Sequence, residues 1–339
     1  MSRPRAGAWS VSTLAIVAGV ATWLFAPGLG PDLRAQPHPA TSYAQAAALI
    51  DSIQATESRA PLIPEAGSLA WLHGAPTDTV VVLFQGYTVV PEPFEVIARG
   101  YFERGCNVWA PMMPYHGLRD RMTTDLSRLK PQVFRAYADR AVDVAAGLGR
   151  HVLVFGISGG GAIATWSAVA RNEVNAAVVI SPILLPRGTP AWAGCAIARA
   201  FQVLPDHYAW WDPDTRDRRS GLAYPRFSYR GVASLMMMGQ WADAEAVRRD
   251  RHVPERVVLV WNQSDAFVDG EYTMAHFTRI FGLRPLHIIT VPASARLEHD
   301  LITPDGANHA RIGLSYAYLS RAVGFRLPDP RGWRPHPLR

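Results

Sequence analysis

Cysteine and lysine are nearly missing from this chain of 339 residues. Its two cysteines, Cys106 and Cys195, stand far apart and have neither metal-ligand nor redox spacing, which argues against a metal or dithiol centre. An exported chain would allow them to pair, and two buried free thiols are the equal alternative. Lys130 is the only lysine, so the formal charge of +6 is an arginine excess, scattered along the chain. There is no basic stripe with interleaved aromatics, and a nucleic-acid partner is not expected. Charged residues make up only 18% and hydrophobic ones 49%, a globular composition sufficient for one large domain with a substantial core.

Long apolar runs are confined to one place. Ala8 to Ala26 lies within the uncharged stretch Ala6 to Gly30 and follows Arg3 and Arg5. The run exceeds the usual core of a cleaved signal peptide, and the best cleavage site, Leu33-Arg34-Ala35, fits the pattern poorly. A transmembrane helix acting as an uncleaved anchor is therefore expected, with a cleaved signal as the alternative. In both cases the arginines stay inside and the rest is exported. The protein would sit on the cytoplasmic membrane facing outward, or be periplasmic or secreted. Pro27 to Pro39 is rich in Pro and Gly and reads as a linker, giving residues 1–40 as anchor or signal plus linker and 41–339 as the folded domain.

Within that domain, short apolar runs alternate with helical spacing. Thr79 to Phe84, Asn107 to Pro111, Val152 to Phe155, Ala176 to Ile180, Arg256 to Trp261 and His287 to Val291 read as strands. Thr41 to Thr56, Phe94 to Arg104 and Pro131 to Leu148 read as helices. Such alternation predicts a mostly parallel sheet covered on both faces, with ligands bound at the carboxyl ends of the strands. Leu184 to Arg251, rich in Trp, Tyr, Met and Pro, breaks the pattern and is expected to be an inserted helical cap, about 184–251, roofing the site with apolar side chains.

The chemistry centres on Gly156-Ile157-Ser158-Gly159-Gly160, which follows a strand and opens an Ala-rich helix. This fits G-x-S-x-G, a sharp turn that holds a nucleophilic serine proud of the sheet, where bulky neighbours would clash. The helix start directs free N–H groups toward a developing oxyanion. Two other glycine-rich readings fail. Gly159 to Ala164 also fits G-x-G-x-x-A, but the next strand runs into Ser181-Pro182 with no carboxylate for a ribose, which weakens a nucleotide-dependent oxidoreductase. No Lys-Ser or Lys-Thr follows the glycines, as a phosphate loop requires. A serine needs partners, and Asp265 and His299 each lie in a loop after a later strand. His116 and His309 compete for the role of base, and Asp269 and Asp300 for that of its orienting acid. Asp269 is placed to cap the next helix.

With these pieces the chain resembles the α/β-hydrolase superfamily from about Leu69 onward. It looks most like the bacterial carboxylesterase and monoacylglycerol-lipase-like branch, also described as serine aminopeptidase-like. The resemblance rests on Gln85-Gly86-Tyr87, Tyr115-His116-Gly117, the Ser158 pentapeptide, Asp265 with Val268, and His299-Asp300 in the order serine, acid, histidine. Where the family has His-Gly after its early strand, this chain has Gln85-Gly86. The resemblance implies the α/β-hydrolase fold and an acyl-enzyme on Ser158, with His299 as base and Asp265 holding it. Backbone N–H groups of Tyr87 and Gly159 would form the oxyanion hole. It implies neither metal nor cofactor, and a small ester substrate with an apolar acyl part. Peptidase, amidase and thioesterase activities share the constellation, and a catalytically silent binding protein would retain the fold.

Overall fold

Aliphatic and β-branched runs too short for helices form the strands of one sheet, and the segments between them cover its two faces. In the computed structural model, residues 11–25, 30–64, 66–214, 221–248 and 252–332 are described. In chain order they begin with α1 (Val11–Phe25), α2 (Tyr43–Glu57), β1 (Leu69–Trp71) and β2 (Thr77–Phe84). Next come α3 (Glu95–Phe102), β3 (Asn107–Ala110), α4 (Pro131–Leu148), β4 (Gly149–Ile157), α5 (Gly159–Ala170) and β5 (Val174–Ile180). The group α6 (Gly194–Val203), β6 (Tyr208–Trp210), β7 (Arg226–Ser228) and α7 (Tyr229–Glu245) then interrupts the alternation. It resumes with β8 (Arg256–Asn262), α8 (Gly270–Phe281), β9 (Leu286–Val291) and α9 (Ile312–Val323).

The seven-stranded sheet has the order β1-β3-β2-β4-β5-β8-β9, and only β1 runs antiparallel to its neighbour. The pleat explains why β2 has no polar face from Val80 onward. Val80, Val82 and Phe84 point into the core under α4 and α5, while Val81 and Leu83 point to the side covered by α3 and α9, and all five are fully buried. Between β5 and β8 in the chain come α6, α7 and a two-stranded ribbon of β6 and β7, and α7 lies at the carboxyl ends of β2 and β4, with Leu235 against Gly159 and Gly231 against Tyr87. The ribbon had no signal in the sequence, because each of its strands is only three residues long.

Two expectations for the N-terminal region need correction. Among the described residues the apolar run does not form a transmembrane helix: the described part, α1, has 15 residues, about 22 Å at 1.5 Å per residue, short of the roughly 30 Å hydrocarbon core. Among the described residues no helix is long and apolar enough to cross a membrane. Arg3, Arg5 and the outer ends of the run lie outside the described residues. Instead α1 lies beside α6, where the Phe25 ring stacks on Trp192 at 6.1 Å and Arg199 donates to the carbonyl of Trp23.

The segment expected to be a linker is also packed, from Leu33 onward. Leu33 is fully buried, and its carbonyl accepts from Trp166 Nε1 at 3.0 Å. Gln36 N donates to Asp139 at 3.0 Å and His38 N to Asp143 at 2.9 Å, so two carboxylates of α4 hold the strap's backbone. The same carboxylates pair with the buried guanidinium of Arg171 at 3.0 and 2.6 Å. A Pro-rich composition predicts an extended backbone, and here that backbone finds its hydrogen bonds on side chains. Cys106 and Cys195 are both free thiols.

Candidate active site

Ser158 sits at the turn from β4 to α5 with φ +56° and ψ −115°, outside the regions a serine ordinarily adopts. Such a backbone costs on the order of 1–3 kcal/mol and must be held by its surroundings. The glycines of the pentapeptide show how. A Cβ on Gly156 would strike the carbonyl of Gly160, and a Cβ on Gly160 would strike the carbonyls of Phe84 and Gln85 at the end of β2. The turn is then fixed by Ser158 N donating to the Ile180 carbonyl at 2.9 Å and by Ile183 N donating to the Ser158 carbonyl at 3.0 Å.

His299 is brought to the serine by the loop after β9. Its Nε2 lies 2.8 Å from Ser158 Oγ and its Nδ1 2.6 Å from Asp265 Oδ2. The carboxylate can only accept, so Nδ1 carries the proton and Nε2 is free to accept from the serine hydroxyl. Asp265 is buried in the loop after β8, and its Oδ1 accepts from the N–H groups of Phe267 and Val268 at 2.9 and 3.2 Å. Burial alone would raise its pKa. The electrostatic attraction of the His299 ring and the hydrogen bonds from His299 and the Phe267 N–H outweigh that and hold it below the ordinary carboxylate value. Arg187 fastens the same loop by donating to the Asp265 carbonyl.

The competing residues have other partners. Asp269 caps α8, accepting from Tyr272 N at 2.9 Å. Asp300 closes its own loop by accepting from the N–H groups of Ile302 and Thr303 at 2.9 and 3.1 Å. His309 turns Nδ1 to the Pro304 carbonyl at 2.9 Å. The His299 loop is instead steadied by two asparagines. Asn262 donates to the carbonyls of Leu297 and Glu298 at 2.9 and 3.1 Å. Asn308 accepts from Glu298 N at 2.8 Å and donates to the Asp300 carbonyl at 2.7 Å. Sequence reasoning assigned neither asparagine a role, since amides that lie 10 residues (Asn308) and 35 residues (Asn262) from the loop they hold leave no periodic signal.

On the other side of the serine is the turn after β2. A Cβ on Gly159 would lie 3.1 Å from Tyr87 N, so the start of α5 and the Tyr87 amide are close neighbours beside Ser158. Gln85 ties this turn together, its Nε2 donating to the Val89 carbonyl at 2.7 Å and its Oε1 accepting from Met113 N at 3.3 Å. Thr88 has φ +73°, and His116 Nε2 accepts from its N–H at 2.9 Å. The cap was expected to roof the site with apolar side chains; the contribution missed is a polar one, Trp211 Nε1 donating to Thr88 Oγ1 at 2.8 Å.

A cavity of about 590 Å³ opens over Ser158 and His299. Val89, Val90, Phe94, Ile157, Leu222 and Ile302 give it an apolar wall, with Trp211 of the cap and Phe267 also lining it. Among the described residues no group of three or more His, Cys, Asp or Glu is arranged to hold a metal ion.

Known structures share this architecture. A metagenome-derived lipolytic enzyme of the LipS and LipT pair superposes with a TM-score of 0.55 at 17% identity, covering 78% of this chain and 99% of its own. The fold is that of the α/β-hydrolases. A soluble variant of the monoglyceride lipase of Saccharomyces cerevisiae superposes with a TM-score of 0.55 at 12% identity, covering 76% of this chain and 90% of its own. The monoacylglycerol lipase of Paleococcus ferrophilus gives 0.51 at 17%, covering 75% and 98%. No family model matches this chain, and no curated protein does. Within this fold, α6, the ribbon of β6 and β7, and α7 stand between β5 and β8 in the chain.

Proposed function

We propose that this chain is a serine hydrolase that cleaves carboxylic esters with an apolar acyl part through an acyl-enzyme on Ser158. The observation that carries this reading is the continuous hydrogen-bond line from Asp265 through His299 to Ser158, at 2.6 and 2.8 Å, on a strained turn facing an apolar cavity. Ser158 Oγ attacks the ester carbonyl carbon while its proton passes to His299 Nε2. The imidazolium forms beside a buried carboxylate already ionised to receive it. The carbonyl oxygen becomes an oxyanion that the N–H groups of Tyr87 and Gly159 stabilise, aided by the positive end of α5. His299 then protonates the departing alcohol, and a water activated by the same nitrogen releases the acid and restores the serine.

The lipolytic, monoacylglycerol-lipase and monoglyceride-lipase neighbours favour an ester over an amide as the bond cleaved. The apolar wall favours an acyl chain over a charged one. Export remains part of this reading, on the strength of Arg3 and Arg5 ahead of the uncharged stretch. The test is a panel of p-nitrophenyl esters of increasing acyl length with the wild type and Ser158→Ala. Hydrolysis lost by several orders of magnitude in a folded variant supports the reading, and equal turnover refutes it.

A further inference from the structure

The geometry points to His116 as a positioning residue for the oxyanion side of the site, acting through Thr88, in an arrangement completed by the cap. This rests on the serine-hydrolase reading and adds to it a role for residues that touch neither nucleophile nor base.

Gly86 to Val89 forms a tight turn in which Val89 N donates to the Gly86 carbonyl at 3.5 Å. Tyr87 and Thr88 are its central residues, and Thr88 occupies the second of these with φ +73°. A turn with positive φ there ordinarily takes glycine, and a β-branched residue is among the worst fitted. The ready escape from that strain is a flip of the peptide between Tyr87 and Thr88, which carries φ of Thr88 back to negative values. That flip rotates the unit adjoining the Tyr87 N–H, the proposed oxyanion donor. Whatever prevents the flip therefore positions the donor.

Three contacts on Thr88 prevent it. Its N–H donates to His116 Nε2 at 2.9 Å, its Oγ1 accepts from Trp211 Nε1 at 2.8 Å, and its carbonyl accepts from Tyr224 N at 2.8 Å. His116 is set for this task. Its Nδ1 donates to the Pro114 carbonyl at 2.9 Å, which leaves Nε2 as an acceptor, and the ring is buried between Tyr87 and Tyr224 at 5.7 and 5.9 Å. A flipped peptide would present the Tyr87 carbonyl where His116 offers a lone pair, acceptor against acceptor. Trp211 and Tyr224 come from the cap, so two of the three bonds that hold the turn in its strained form are made only where the cap is docked. The Tyr87 ring is held there too, beneath α7, where a Cβ at Gly231 would overlap it.

The two amide replacements of His116 separate its two hydrogen bonds. The Gln oxygen stands as many bonds from Cβ as Nε2 and can still accept from Thr88, whereas Asn reaches only the Nδ1 position and retains the bond to Pro114. His116→Asn should lower kcat on a p-nitrophenyl ester by about 10- to 100-fold with KM within about threefold, since the donor is misplaced rather than the substrate site. His116→Gln should restore kcat to within about fivefold of wild type. Thr88→Val, of the same shape, removes the acceptor for Trp211 and should lower kcat by about three- to tenfold at unchanged KM; it carries the test should His116→Asn not fold. Equal kcat in the Asn and Gln variants overturns the inference, as does wild-type kcat in either His116→Asn or Thr88→Val. Ser158→Ala separates the two claims. Hydrolysis that survives it refutes the serine reading and this inference together, whereas Ser158-dependent hydrolysis indifferent to His116 and Thr88 refutes this inference alone.

Discussion

Replacing Asp265 by Asn tests whether its place in the hydrogen-bond line sets the state of His299. Oδ1 of Asp265 accepts from two backbone N–H groups and Oδ2 accepts from His299 Nδ1. An Asn side chain that retains its oxygen on the two N–H groups must turn its NH2 toward His299. A donor then faces a donor, and the imidazole resolves the conflict by moving its proton to Nε2, the nitrogen 2.8 Å from Ser158 Oγ. In that tautomer it cannot take the serine proton, and the imidazolium formed in the reaction has no carboxylate beside it. The expected loss in kcat is about 10⁴-fold, or roughly 5 kcal/mol at 1.36 kcal/mol per decade. The side chains have nearly the same shape, so the variant should fold. Stopped-flow or steady-state hydrolysis of a p-nitrophenyl ester, read beside a thermal melt, makes the measurement. A folded Asp265→Asn that retains a tenth of wild-type kcat would refute the assignment of the His299 tautomer and the role given to Asp265.

Two further outcomes concern the scaffold. Leu33→Ala should destabilise the protein by about 2–5 kcal/mol in denaturant unfolding, because the side chain is fully buried under the strap that α4 holds; a change under 0.5 kcal/mol would return that segment to the status of a loose linker. Burial pushes His116 and His276 down from 6.5 to about 4, so both stay neutral in the folded chain where the unfolded chain takes up protons. Their full contribution is present above 6.5, and stability should fall as pH drops from there toward 4, by up to about 3 kcal/mol per histidine. Guanidinium unfolding at pH 7.5 and 4.5 reads the difference, and an unchanged midpoint would contradict the burial of both rings.

What the sequence disclosed follows from how each element is stabilised. Thr79 to Phe84 and Arg256 to Trp261 were legible as strands because burial on both faces demands unbroken apolar runs. The serine turn was legible because its steric needs fall on residues adjacent in sequence, Gly156 and Gly160. Asp265 and His299 could be picked out as candidates by their order after strands, but their contact with Ser158 is made through space. The strap from Leu33 to Ala40 was hidden because proline-rich composition does not reveal that Asp139 and Asp143, about a hundred residues on, hold its backbone. The expected membrane span fails for a related reason: hydropathy registers apolar side chains and not their partners, and the described part of the run, α1, lies beside α6. The bonds on Thr88 come from His116, Trp211 and Tyr224, three separate parts of the chain, and no local pattern joins them.

The central claim is that an acyl group is carried by Ser158, and the adduct itself can be weighed. The protein is mixed with a p-nitrophenyl ester, quenched in acid within the first turnovers, digested, and its peptides are analysed by mass spectrometry. The account predicts one added acyl mass, on the peptide containing Ser158 and localised to that residue, absent from Ser158→Ala and accumulating further when deacylation is slowed. Turnover accompanied by an adduct on another residue, or by an unmodified Ser158 peptide at every quench time while product forms in a burst, would contradict it.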